Sequence, residues 1–169
     1  APRKGIVRVF WNGELQMELS YQVPVVIDQQ RPLVAIIMDD MGRNIDGFNA
    51  LLDLSLPITP AILPQASFAT RGAKMLNARN QEYMIHLPME PRKYPAISPG
   101  PDALLLSLSK KELRARVQLY MQRVPGAVGG NNHMGSGFTE NRAAMHIVLE
   151  ELKASGLFFV DSRTIGDSV

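Results

Sequence analysis

The sequence contains no cysteine, only three histidines and a single tryptophan in 169 residues. Without cysteine there is no disulfide scaffold and no thiolate metal site, and a reducing or an oxidising compartment suits the chain equally well. Any transition metal must be held by histidine and carboxylate. No apolar run approaches the roughly 20 residues that span a bilayer, so no membrane span is expected. Charge of one sign is missing too. Eighteen basic residues face sixteen acidic ones, a formal charge of +2, which is too balanced for a nucleic-acid footprint. Neither a P-loop nor G-x-G-x-x-G occurs, which disfavours nucleotide binding, and G-x-S-x-G is absent as well. The opening Ala1-Pro2-Arg3-Lys4 is not followed by an apolar h-region. An export signal is therefore expected to have been removed or never present.

What is there reads as one folded domain with a small appendage. Hydrophobic residues make up 46% and charged residues 20%, a globular balance on a chain long enough to bury one core. Residues 1–31 form the appendage: Val7, Val9 and Trp11 alternate with Arg8 and Phe10, Asn12-Gly13 follows, and Leu15, Met17, Leu19 and Tyr21 alternate with Glu14, Gln16, Glu18 and Ser20. Asn-Gly suits the positive φ angles of a tight hairpin turn, so a β-hairpin and a connector are expected there. From residue 32 to 169 short apolar runs alternate with amphipathic stretches. Strands are expected over 33–38, 58–63, 82–87, 127–130 and 157–160, the first of them buried on both faces. Helices are expected over 44–55 and 67–77, from a capping box at Ser109-Lys110-Lys111-Glu112, and from Thr139 to Ser155 with Gly156 closing the last. The alternation implies an α/β fold with a parallel sheet or barrel. The last buried-type strand has no helix after it, so the domain is expected to be incomplete at its C-terminus.

In such folds ligands bind at the carboxyl ends of the strands. Those ends carry Asp39-Asp40, His86, Asn131-Asn132-His133 and Asp161-Ser162-Arg163. A random scatter of polar residues does not select the same rim each time. Two adjacent carboxylates repel unless a cation or donor offsets them, so one of Asp39 and Asp40 can bind a metal while the other works as a general base. The plainer alternative is that one caps the following helix and the other is solvated. A lone His86 would ordinarily be a hydrogen-bonded core residue, and His133, in a Gly- and Asn-rich stretch, could belong to a packing turn. Together Asp40, His86 and His133 supply two imidazoles and a carboxylate, a donor set suited to catalytic zinc or another divalent ion. His146 shares a helical face with Arg142, Glu150 and Lys153 and is expected to be solvated near Glu150.

Four segments occur in a recognisable order: Ile36-Ile37-Met38-Asp39-Asp40-Met41-Gly42, His86-Leu87-Pro88-Met89-Glu90-Pro91, Asn131-Asn132-His133-Met134-Gly135-Ser136 and Phe159-Val160-Asp161-Ser162-Arg163-Thr164. Together they make the chain resemble the divergent polysaccharide deacetylase family, from about residue 33 onward. The resemblance implies a distorted (β/α) barrel and a metal-dependent deacetylase site. It implies that the first Asp of the pair, Asp39, is the catalytic base and that Asp40 binds the metal. The main branch of the superfamily places a second His four positions after the first. Here that place holds Glu90, so His133 is the expected replacement and Glu90 the fallback. The Gly-His-Pro segment that supplies the superfamily's catalytic acid is absent, which agrees with an incomplete end. The resemblance also implies a periplasmic or extracellular location.

The expected activity is removal of acetyl groups from a polysaccharide or peptidoglycan-like substrate, with zinc as the divalent cofactor. Arg163 can hold Asp39 ionised and oriented, or pair with Asp161; these three form the expected catalytic group. Asn131, Asn132, Ser136 and Glu90 are the expected substrate-binding positions, with backbone N–H groups of the 131–136 turn facing an oxyanion. Two other readings share the motif: a non-catalytic carbohydrate- or envelope-binding protein, for which the hairpin edge would serve docking, and metal-dependent hydrolysis of a different amide or a phosphoester.

Overall fold

Two antiparallel strands, β1 (Arg3–Trp11) and β2 (Glu14–Val23), begin the chain, in a computed structural model that describes residues 3–11, 14–23 and 34–169. Val7 stands opposite Leu19 and Val9 opposite Met17, so the apolar positions of the two strands are paired. A register shift after Val9 sets Phe10 against Leu15 and Trp11 against Glu14. The expected Asn12-Gly13 turn and the 24–32 connector lie outside the described residues. The chain divides into two compact units, Ala1–Val34 and Ala35–Val169.

The second unit alternates strand and helix without exception. β3 (Ile36–Met41), α1 (Asp46–Asp53), β4 (Ile58–Ile62), α2 (Ala69–Ala78), β5 (Met84–Met89), α3 (Lys110–Arg123), β6 (Gly129–Met134), α4 (Arg142–Ala154) and β7 (Phe158–Val160) follow in order. The five strands form one parallel sheet, ordered β3-β4-β5-β6-β7 as in the sequence. This is the expected α/β alternation, in an open sheet rather than a closed barrel.

The core gathers around the central strand. All six residues of β5 are buried, and Leu87 and Ile85 pack with Phe48, Leu76, Val117, Tyr120 and Val148 from the four helices. Helix packing is close enough to require glycine at one point: a Cβ on Gly72 of α2 would fall 2.0 Å from Cζ of Phe48 in α1. Ser109 caps α3 through the full reciprocal box with Glu112. Each satisfies an N–H that has no partner within the helix.

Three expectations need correction. β3 is not buried on both faces: among the described residues it is an edge strand, Ile36 is 49% exposed, and Val34 just before it is 82% exposed. A continuous apolar run marks a strand with a partner on each side and a layer on each face, and β3 has one strand partner among the described residues. Thr139 does not cap α4. Its hydroxyl turns back to Gly135 O, and Asn141 caps instead, accepting from Ala144 N at 3.0 Å. β6 extends four residues past the expected 127–130, because Asn and Gly are poor strand formers by propensity yet are held here by hydrogen bonds. Gly156 does close α4, at φ +73°, with Leu157 N donating to Leu152 O.

Candidate metal centre

A local irregularity brings the two carboxylates together. On a regular strand Asp39 and Asp40 would point to opposite faces. Here Met38 pairs with Pro60 and Met41 with Ile62, so Asp39 and Asp40 together stand against Ala61 alone. This is a β-bulge, and Asp40 adopts φ +60° within it. Aspartate tolerates that left-handed conformation better than most residues. As a result both carboxylates approach the same imidazole: Asp39 Oδ1 lies 3.6 Å from His86 Nδ1, and Asp40 Oδ1 lies 3.5 Å from His86 Nε2.

His86 comes from the middle of β5 and is 3% exposed. His133 comes from β6, where it pairs in register with Pro88. Its Nδ1 lies 3.0 Å from Asp40 Oδ1 and 3.2 Å from His86 Nε2. Asp40, His86 and His133 thus close a triangle of one carboxylate oxygen and two ring nitrogens, the metal-capable group among the described residues. A tetrahedral ion with bonds of about 2.0–2.2 Å sets its ligand atoms about 3.3–3.6 Å apart, so one divalent ion fits this set with little adjustment. Burial and the neighbouring His86 push the His133 pKa down, against the pull of Asp40. That favours the neutral imidazole, the form that ligates. The open side is Asp40, whose side chain is half exposed at a cleft of about 710 Å³ lined also by Arg43, Gln65, Ser67, Ser98 and His133.

The remaining expected residues take other places. Asn131 is buried, with Nδ2 donating to Asp39 Oδ1 at 2.8 Å and to Ser162 Oγ at 3.2 Å, and with Oδ1 2.8 Å from His86 Nδ1. Asn132 is buried as well, accepting from Ser162 N and donating to Met134 O. Glu90 stays outside the triangle: its carboxylate accepts from Leu106 N at 2.7 Å and ties down the loop after β5. Ser136 accepts from Arg92 N, and Arg92 holds Glu140 through both Nε and Nη2. Asp161 accepts from Arg163 N, a turn contact. Among the described residues the Arg163 guanidinium pairs with neither Asp39 nor Asp161, and the group that holds Asp39 is the Asn131 amide. His146 is 71% exposed and sits 3.1 Å from Glu150, as expected of a solvated residue. Ser162, whose hydroxyl accepts from Asn131, and Arg43, in the cleft wall, also stand at the site. The position of Ser162 at a strand end was the available signal; nothing in the local sequence marks Arg43.

The sequence profile of the divergent polysaccharide deacetylases matches residues 36–169. An uncharacterized protein of Haemophilus influenzae is 35% identical over 136 residues, 80% of this chain and 48% of its own length. The uncharacterized protein YibQ of Escherichia coli is 34% identical over 135 residues, again 80% of this chain and 42% of its own. The chain therefore spans about half the length of the curated relatives it matches. The crystal structure of the uncharacterized protein ATU2773 from Agrobacterium tumefaciens superposes with a TM-score of 0.72 at 28% identity, over 79% of this chain and 55% of that one. The bulged Asp pair, the histidine of the central strand and the Asn-Asn-His strand all lie inside the matched residues, and the chain belongs to the divergent polysaccharide deacetylase family.

Proposed function

We propose that the protein is a metal-dependent hydrolase that removes acetyl groups from a polysaccharide, with zinc held by Asp40, His86 and His133. The observation that carries this reading is the ligand triangle with sides of 3.0, 3.2 and 3.5 Å and a second carboxylate, Asp39, beside it. A bound divalent ion supplies polarisation of the acetyl carbonyl and a lowered pKa for water. Asp40 Oδ1, His86 Nε2 and His133 Nδ1 would hold it. Asp39 takes the proton of the attacking water through the carboxylate oxygen that Asn131 leaves free. The cleft walls admit the sugar, and the buried faces of β5 and β6 exclude water from the other side of His86. The family supports a carbohydrate substrate, and a peptidoglycan-like glycan outside the cytoplasm is the substrate and setting we infer.

Metal analysis of the full-length protein with a deacetylation assay on acetylated chito-oligosaccharide tests the reading. Asp39→Asn keeps the shape of the side chain and removes its ability to take a proton. It is expected to retain zinc and to lower turnover by about two to four orders of magnitude. Loss of zinc together with turnover would make Asp39 a ligand. Unchanged turnover would remove it from the mechanism.

A further inference from the structure

Asn131 is 1% exposed, yet it is polar at both ends and every polar atom of its amide is engaged. The contacts determine one another. The Asp39 carboxylate can only accept, so the end of the amide that faces it must be the NH2 group. The oxygen must then face His86, and an amide oxygen can only accept. The proton of a neutral His86 therefore sits on Nδ1, and Nε2 carries the lone pair. Nε2 is the nitrogen that faces Asp40 and His133.

We propose that Asn131 is the positioning residue of this centre. One neutral amide locks His86 in the tautomer that presents Nε2 to a metal, and from its other end it holds the Asp39 carboxylate by Oδ1. This rests on the metal-dependent reading above and deepens it, since it joins a ligand and the proposed base in one rigid frame. The place calls for a planar group that accepts at one end and donates at the other. An aspartate would serve His86 but meet Asp39 as a like charge, and an aliphatic residue would serve neither. The backbone of β6, paired on both sides with β5 and β7 at this residue, keeps the amide from swinging away.

The test follows the His86 tautomer by ¹⁵N chemical shifts, and zinc affinity by competition with a chromophoric chelator, in the full chain and in Asn131→Ala and Asn131→Asp. The metal-free parent is expected to show a single Nδ1–H tautomer at His86. Asn131→Ala should show a mixture and bind zinc about ten- to a hundredfold more weakly. Asn131→Asp should keep the Nδ1–H tautomer, since a carboxylate also accepts from Nδ1, and bind zinc more tightly than Asn131→Ala. Slow exchange of an Asn131 side-chain amide proton, lost in Asp39→Ala, reads the other end. An Nε2–H tautomer in the parent overturns the assignment, as does Asn131→Ala that is folded with tautomer and zinc affinity unchanged. If Asn131→Ala does not fold, the parent tautomer and Asn131→Asp decide. A parent that binds no zinc would defeat the metal reading while the tautomer measurements still judged Asn131 separately.

Discussion

Strand β3 opens on Ile36-Ile37-Met38 and leaves Ile36 half exposed, whereas β6 runs Gly129-Gly130-Asn131-Asn132 with all four residues buried. By composition the two should be exchanged. Their places in the sheet explain the inversion. Among the described residues β3 is an edge with β4 on one side only, while β6 lies between β5 and β7 and beneath the helices that flank them. Burial follows the number of neighbours that the topology supplies, and a polar strand can occupy the inside if each of its groups finds a partner. Asn131 and Asn132 meet that condition through five side-chain hydrogen bonds.

The contrast can be broken most strongly at Gly130. A Cβ there would fall 2.4 Å from Leu87 Cδ1 and 3.2 Å from Ile85 O, and Leu87 is fully buried with nowhere to move. Gly130→Ala is expected to cost about 2–3 kcal/mol in urea unfolding, as overpacked cores do. A smaller loss is expected from Asn132→Ala, which leaves the Ser162 N–H without its partner and removes one of two donors to the Met134 carbonyl, Thr164 Oγ1 being the other. Its unfolding free energy should fall by about 1–2 kcal/mol. The same variant separates two roles for Asn132: a substrate contact would raise KM at unchanged stability. The smallest effect belongs to β3. Ile36→Thr keeps the branched shape that strands favour and replaces a half-exposed ethyl arm with a hydroxyl, so about 0.5 kcal/mol or less is expected. A loss above about 1.5 kcal/mol there would show that another surface covers β3 in solution, and the comparison would then have to be redrawn.

Much of this was legible in the sequence. The alternation of apolar runs and amphipathic helices implied the parallel order, because a helix between consecutive strands forces both to run the same way. The rim that bears Asp39, Asp40, His86 and His133 followed from the rule that sites collect at strand carboxyl ends, and the structure brings Asp40, His86 and His133 together there. Three kinds of detail were not legible. Whether an apolar strand is covered depends on its neighbours, and β3 shows that its own residues do not say. Which of several acceptors caps a helix depends on geometry over one or two residues, so Asn141 displaced Thr139. The third is what a polar side chain does once its strand is buried. Glu90 and Ser136 anchor the loops around β5, and Asn131 faces inward to two site residues instead of outward to a ligand. Such assignments need three-dimensional partners, because local sequence records only that a polar group is present.

The bulge in β3 makes the Asp pair a matter of parity. Two residues stand where the neighbouring strand has one, so the count of residues between Met38 and Met41, and not only their identity, brings both carboxylates to one imidazole. Deleting Met38, with Ile37 and Met41 keeping their partners, would restore strict alternation and send the two acids to opposite faces with the pair itself intact. A search that scores the presence of adjacent acids would pass such a sequence, and one that counts register against the next strand would reject it. For the same reason, moving the four residues Asp39-Asp40-Met41-Gly42 onto a regular parallel strand is not enough to carry the site with them. The extra residue has to travel as well.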